Sequence, residues 1–176
     1  MASHTIAGVV IAVLFLACMT GSYATGPAAD VKAICSQTIN PSVCSTVMQT
    51  TPGVAGADLK SLAKIIIAVA KQNATATLRM IQSLRNTTND PRLRRALASC
   101  AEQYKNARDS LTDASSALAG GDYRAMNLRA SSAEDAGFDC NDELEGHTTS
   151  LSTYNNRYAG ICSIILVIAN DLARLP

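Results

Sequence analysis

Apolar residues return along most of this chain at steps of three and four, the spacing that places them on one side of an α-helix. The longest run starts behind Asp90-Pro91, an N-cap followed by proline at the first helical position. Leu93, Leu97, Cys100, Tyr104, Ala107, Leu111, Ala114 and Leu118 then alternate steps of four and three. Gly120-Gly121 stops that helix, and Asp122 caps the next. The next helix is predicted over about Tyr123–Leu144, with Met126, Ala130, Ala133, Ala136 or Gly137, Cys140 and Leu144 facing inward. After a Gly146–Ser150 loop, Leu151, Tyr154, Tyr158, Ile161, Ile165, Ile168 and Leu172 mark a last helix. Upstream, Leu59, Leu62, Ile66, Val69, Leu78, Ile81 and Leu84 predict a long helix over about Ala57–Leu84, ended by Asn86–Asn89. Asp30–Cys35 and Ser42–Gln49 read as two short helices broken at Asn40-Pro41, and Thr50–Gly56 as a linker.

The predicted fold is all-α: an up-down-up-down four-helix bundle over residues 57–176, preceded by a short N-terminal helical hairpin and linker over 25–56. Hairpin and bundle are expected to form one domain. Met1–Ala24 is set apart from both. It holds no Lys, Arg, Asp or Glu, has an apolar core at Ile6–Ala17, and ends in Ser22-Tyr23-Ala24. That pattern reads as a secretory signal peptide, and its apolar core is too short to span a bilayer.

Composition narrows the possibilities. Alanine occurs 29 times, which allows close helix approach but limits apolar area. Beyond residue 24 there is one histidine, His147, no tryptophan, and few aromatics. A histidine-based metal site, an aromatic nucleic-acid platform and a β-sandwich are all disfavoured.

Cys18 leaves with the signal, and Cys35, Cys44, Cys100, Cys140 and Cys162 remain. In an oxidising compartment four of these form two bridges, with one left over. Cys35 and Cys44 flank a turn signal, so a hairpin bridge is natural. Cys100 and Cys140 lie at matching distances on either side of Gly120-Gly121, so two antiparallel helices would bring them level. Cys162 is expected to be a buried free thiol, the alternative being a disulfide-linked dimer. Asn73 and Asn86 head glycosylation sequons, as a secreted chain would use.

The net charge of +1 conceals a segregation. Residues 25–100 carry nine Lys/Arg against three Asp, and residues 101–176 carry six Lys/Arg against eleven Asp/Glu. Glu134, Asp135, Asp139, Asp142, Glu143 and Glu145 follow one another without a base between them. Such a run is either a solvated face or a docking face for a basic partner. Arg92, Arg94 and Arg95 form too small a basic patch, without interleaved aromatics, to suggest nucleic acid.

No catalytic kit emerges. His147 lies in a Gly-His-Thr-Thr loop without an oxyanion-type turn beside it. Glu134, Asp135, Asp139 and Asp142 could pair as glycosidase carboxylates, but aromatic sugar platforms are lacking. Glu143 and His147 stand at i and i+4, yet one histidine cannot complete a di-metal motif. The expectation is a secreted binding protein that is not an enzyme and needs no metal or cofactor.

Several stretches resemble one family. Ile34-Cys35-Ser36-Gln37-Thr38-Ile39-Asn40-Pro41-Ser42-Val43-Cys44 is similar to the opening of the plant invertase and pectin methylesterase inhibitor domain. So are Asp90-Pro91, Cys100-Ala101-Glu102-Gln103-Tyr104 with Ala107 and Leu111, and Gly121-Asp122-Tyr123 leading to Cys140. The likeness runs from about Asp30 to Leu172, and the family shares the cysteine pairing and the hairpin-plus-bundle fold. The Pro-Lys-Phe motif of the invertase branch is absent. The unpaired Cys162 and Ala130-Ser131-Ser132-Ala133 look like the pectin methylesterase branch.

The resemblance implies a reversible, stoichiometric inhibitor of the apoplast or cell wall, monomeric when free and bound 1:1 across the pectin-binding cleft of pectin methylesterase. Inhibition of an acid invertase, or a non-inhibitory secreted bundle, is the alternative. Carried over by position, the contacts are Glu102, Gln103, Asn106, Asp109, Asn127, Glu134, Asp135, Asp139 and Asp142. The family usually has Thr before its fourth cysteine, followed by Glu-Asp, where this chain has Asp139-Cys140-Asn141-Asp142. The added carboxylate would repel an acidic cleft or take a cation, which bears on target choice and on inhibition itself. Glu134, Asp135, Asp139 and Asp142 read as surface acids, so that reversing Glu134 and Asp142 to lysine would weaken inhibition while leaving the helices unchanged.

Overall fold

Five of the six helices begin behind an Asp or Asn whose side chain accepts a hydrogen bond from the first turn, which satisfies an otherwise orphaned backbone donor. These caps are Asp30, Asn40, Asp58, Asp90 and Asp122. The structure, a computed structural model, describes residues 27–175. The expected signal peptide and Cys18 lie outside the described residues. The helices are α1 (Val31–Ser36), α2 (Pro41–Thr50), α3 (Leu59–Thr87), α4 (Pro91–Gly120), α5 (Tyr123–Glu143) and α6 (Leu151–Ala173). Pro41 and Pro91 occupy first-turn positions, where a missing N–H costs nothing.

The α4–α5 connection shows how two residues reverse the chain. Gly121 takes a left-handed conformation at φ 74°, which a side chain would disfavour. Its amide donates to the Leu118 carbonyl at 3.2 Å, and the Asp122 amide donates to that of Ala117 at 2.9 Å. This Schellman-type pair closes α4. The Asp122 carboxylate then accepts from the Ala125 amide at 2.9 Å and opens α5.

α3 packs on α4, α4 on α5, α5 on α6, and α6 returns to α3, which leaves α3 and α5 diagonal. Disulfides join Cys35 to Cys44 and Cys100 to Cys140. Cys162 is fully buried and unpaired, so it cannot reach a second chain while the core is closed. The bridge between α4 and α5 spans 40 residues and contributes roughly 4 kcal/mol by restricting the unfolded chain.

The hairpin does more than precede the bundle. α1 and α2 both pack on α6, so the middle of that helix is covered on nearly all sides and Ala159–Ile165 is continuously buried. A helix that is apolar all round requires such cover. Gly160 makes the contact possible: a Cβ there would lie 3.1 Å from Val43 Cγ1 and 3.3 Å from Asn40 Cβ.

The apolar stripe expected on α6 needs one correction. Tyr154 is 39% exposed, and Asn155 beside it is fully buried. Asn155 Oδ1 accepts from the Tyr104 hydroxyl at 2.9 Å, and its Nδ2 donates to Asn141 Oδ1 at 2.9 Å. With both ends bonded, an amide can occupy a core position at little cost. Tyr104 and Tyr158 meet nearby in a tilted pair with ring centroids 5.0 Å apart.

The backbones of α5 and α6 approach closely at Gly137. A Cβ on Gly137 would meet the Asn155 carbonyl oxygen at 2.8 Å and Ala159 Cβ at 3.2 Å. Gly137→Ala is therefore expected to destabilise the fold by about 1–3 kcal/mol despite its better helix propensity. Chemical denaturation checks this, and an unchanged or raised midpoint would show that the seam can spread freely.

Candidate functional site

α4 and α5 each present a stripe of polar residues to solvent. On α4, Glu102, Asn106 and Asp109 stand at i, i+4 and i+7 and are exposed. On α5, Asp135, Asp139 and Asp142 repeat that spacing and are exposed. Between the helices lies a shallow groove of about 420 Å³ lined by Gln103, Asp139, Asp142 and Glu143. The Cys100–Cys140 bridge, with Cα atoms 4.8 Å apart, holds the two stripes in register beneath it. The Ser99 hydroxyl donates to Glu143 Oε1 at 2.9 Å across the same seam. Farther along, Arg129 pairs with Asp113 at 3.6 Å.

The nine residues singled out from sequence thus divide. Glu102, Asn106, Asp109, Asp135, Asp139 and Asp142 lie open on the α4–α5 side. Gln103 lines the groove, but its Oε1 is sealed from solvent without a partner. Asn127 turns to the α6 seam, where its Nδ2 donates to the Leu166 carbonyl at 3.2 Å and to Asn170 Oδ1 at 3.1 Å. Lys105 contacts Glu102 at 3.0 Å, an exposed pair worth little to stability.

Glu134 departs from the expectation of a free surface acid. One carboxylate oxygen is sealed and unpartnered. Burial, and secondarily the neighbouring Asp135, push its pKa up to about 7. Burial likewise pushes the Cys162 thiol up to about 12, with Glu134 adding to the rise. That thiol is inert as a nucleophile at neutral pH. Reversing Glu134 to lysine would put a second cost on the fold, so it cannot serve as a pure probe of the surface.

Two exposed apolar side chains of α5 were not found by the sequence reasoning. Leu128 is 64% exposed and Phe138 43%. They belong to an outward stripe of α5, Leu128, Ser131, Asp135, Phe138 and Asp142, at steps of three, four, three and four. The signal was present as a second periodicity, offset from the inward residues.

Other candidates are structural. His147 Nδ1 lies 3.7 Å from Asp90 Oδ2, so the α5–α6 loop rests against the cap of α4. Backbone hydrogen bonding, chiefly from Arg92, holds the Asp90 carboxyl below its ordinary range. Glu143 bonds to Ser99 rather than to His147. Among the described residues no group of three or more His, Cys, Asp or Glu is placed to hold a metal ion, and no helix is long and apolar enough to cross a membrane. Of the sequon asparagines, Asn86 is exposed in the last turn of α3 and Asn73 is half-buried within it.

Glu134 makes stability depend on pH with a defined sign. Its folded pKa lies above the ordinary carboxylate value, so the folded state holds the proton more tightly. That contribution is complete below about pH 4.5 and is lost as pH rises through about 7. Glu134→Gln is expected to flatten the pH dependence of the melting temperature in this window and to stabilise the protein at neutral pH, by on the order of 1–2 kcal/mol after allowing for partial exposure. An unchanged pH profile in the variant would show that Glu134 titrates as an ordinary surface acid.

Comparison with known proteins gives a consistent family. The family model described as plant invertase/pectin methylesterase inhibitor matches residues 29–168. Pectinesterase inhibitor 2 of Arabidopsis thaliana is 36% identical over 172 residues, covering 97% of this chain and 99% of that protein. A pectinesterase inhibitor of Actinidia deliciosa is 38% identical over 142 residues, covering 79% and 77%. The crystal structure of a mutant form of a pectin methylesterase inhibitor from Arabidopsis superimposes with a TM-score of 0.76 at 33% identity, covering 84% of this chain and 98% of that one.

Proposed function

The chain belongs to the plant invertase/pectin methylesterase inhibitor family, and from that membership we propose that it is a secreted protein inhibitor of pectin methylesterase. It acts by occupying the enzyme's cleft in a reversible 1:1 complex, without turnover of its own. One observation carries the reading beyond family likeness. The bridged α4–α5 pair presents a groove lined by Asp139 and Asp142, and exposed Phe138 lies on the same outward stripe of α5 as Asp142. A standard interface needs about 800 Å² per partner, which two adjoining helix faces can supply. Rigid helices lose little conformational entropy on binding, so more of the contact energy remains as affinity. Carboxylates around an aromatic anchor suit a partner whose cleft offers polar donors around an apolar pocket. Asp139 adds a carboxylate that an acidic cleft would repel or a cation would neutralise, so it bears on which enzyme this chain engages.

The direct test is a pair of titrations with the intact disulfide-bonded protein. Methanol release from pectin by pectin methylesterase should fall to baseline near one equivalent, and glucose release from sucrose by acid invertase should be unaffected. Inertness toward the first enzyme, or suppression of the second, overturns the assignment.

Variants on the exposed face should act without touching the fold. Phe138→Ala is expected to weaken inhibition by about 1–3 kcal/mol with unchanged helical circular dichroism. Asp139→Asn with Asp142→Asn should reduce the salt dependence of the association rate. If both leave inhibition and its salt dependence intact, the enzyme is engaged by another face.

A further inference from the structure

α3 is the cationic counterpart of α5. Its 29 residues hold Lys60, Lys64, Lys71, Arg79 and Arg85 and no carboxylate. The flanking acids, Asp58 and Asp90, are turned to helix capping. Lys60 lies over the Tyr123 ring, 5.7 Å from its centroid. Lys64, Lys71, Arg79 and Arg85 take part in no ion pair among the described residues. Lys60, Lys64 and Lys71 share one stripe, at i, i+4 and i+11. Arg79 stands four residues beyond Thr75, and Lys71, Gln72, Thr75 and Arg79 line a depression of about 320 Å³ on the helix. At 1.5 Å per residue the cations extend over about 37 Å from Lys60 to Arg85.

Four features of this face point to a ligand class. Its charge is a line rather than a cluster, which suits a linear polyanion. The depression sets the Gln72 amide between two cations, beside Thr75, whose hydroxyl donates to the Lys71 carbonyl at 2.8 Å and keeps its oxygen as an acceptor, which suits a partner bearing both carboxylates and hydroxyls. The chain is nearly neutral overall, so the segregation is not a device for raising net charge. α3 and α5 are also diagonal in the bundle, so the two outward faces can be occupied together.

We infer that the outward face of α3, centred on Lys64, Lys71 and Arg79, binds a linear polyuronate. The choice of polyuronate among polyanions rests on the inhibitor reading above: hydrolysis of pectin methyl esters leaves uronate carboxylates along the polymer. The inhibitor would then be retained where de-esterified polymer has accumulated, with its α4–α5 face still free for enzyme.

The test measures binding of the protein to polygalacturonate and to highly methyl-esterified pectin, in the presence of a calcium chelator. Binding is expected to the first and not the second, and to weaken on the order of tenfold or more from about 50 to about 200 mM salt, as counterion release requires. Lys64→Gln, Lys71→Gln and Arg79→Gln together should abolish most of this binding and leave inhibition of pectin methylesterase on a soluble short substrate unchanged. Phe138→Ala should do the reverse. Equal binding to both polymers, or full retention by the triple variant with native circular dichroism, overturns the inference and marks α3 as a merely solvated face. Loss of inhibition in the enzyme titration with polygalacturonate binding intact would sink the inhibitor reading alone.

Discussion

The tie between α4 and α5 governs what this molecule can present to a partner. Cys100 and Cys140 are both fully buried, and their bridge lies directly beneath the exposed stripes that begin at Glu102 and end at Asp142. Ser99 and Glu143 reinforce it one residue before Cys100 and three after Cys140. Without that tie the two helices could slide along an alanine-rich seam, because Ala130, Ala133 and Ala136 offer little shape to oppose sliding. With it, groove and carboxylates hold one register. A face that is preorganised in this way spends little of its contact energy on ordering itself.

Behind that face, the α5–α6 seam combines a close backbone approach at Gly137 with a line of amides. Tyr104 donates to Asn155, Asn155 to Asn141, and Asn141 to Asn156 at 2.8 Å. These bonds join three helices and are satisfied only in one alignment, whereas apolar contacts would tolerate several. Glu134, Tyr158 and Gln103 are the incomplete members of the interior, each with one sealed polar atom that has no partner. Glu134 answers this by holding its proton to about pH 7. The same residue therefore reports the tightness of the core and lies beside the acids of the outer face.

Charge is divided between diagonal helices. α3 carries cations alone, and the outward side of α5 carries Asp135, Asp139 and Asp142. Helices that share no seam can hold opposite charge without pairing, so neither set is consumed by the other. Among the described residues, Lys64, Lys71, Arg79 and Arg85 on one side and Asp135, Asp139 and Asp142 on the other take part in no ion pair.

The number of helices, the caps at Asp90 and Asp122 and the two bridges were legible because each follows from local signals: an Asp before an apolar stripe, a proline at a first turn, two glycines between equal arms. The steps of three and four identified the core of α4 almost completely. Three things were not legible, and each depends on what packs against what. The hairpin settles on α6, which explains why Ala159–Ile165 is buried without a break. Asn155 replaces Tyr154 in the core because a hydroxyl from α4 and an amide from α5 await it there. Glu134 and Asn127, acid and amide on a polar-looking helix, turn to the α6 seam while Asp135 and Asp139 stay open. A helix pattern specifies which side is apolar, but the boundary between seam and solvent depends on the width and position of the neighbouring helix, and that is decided only when the bundle closes.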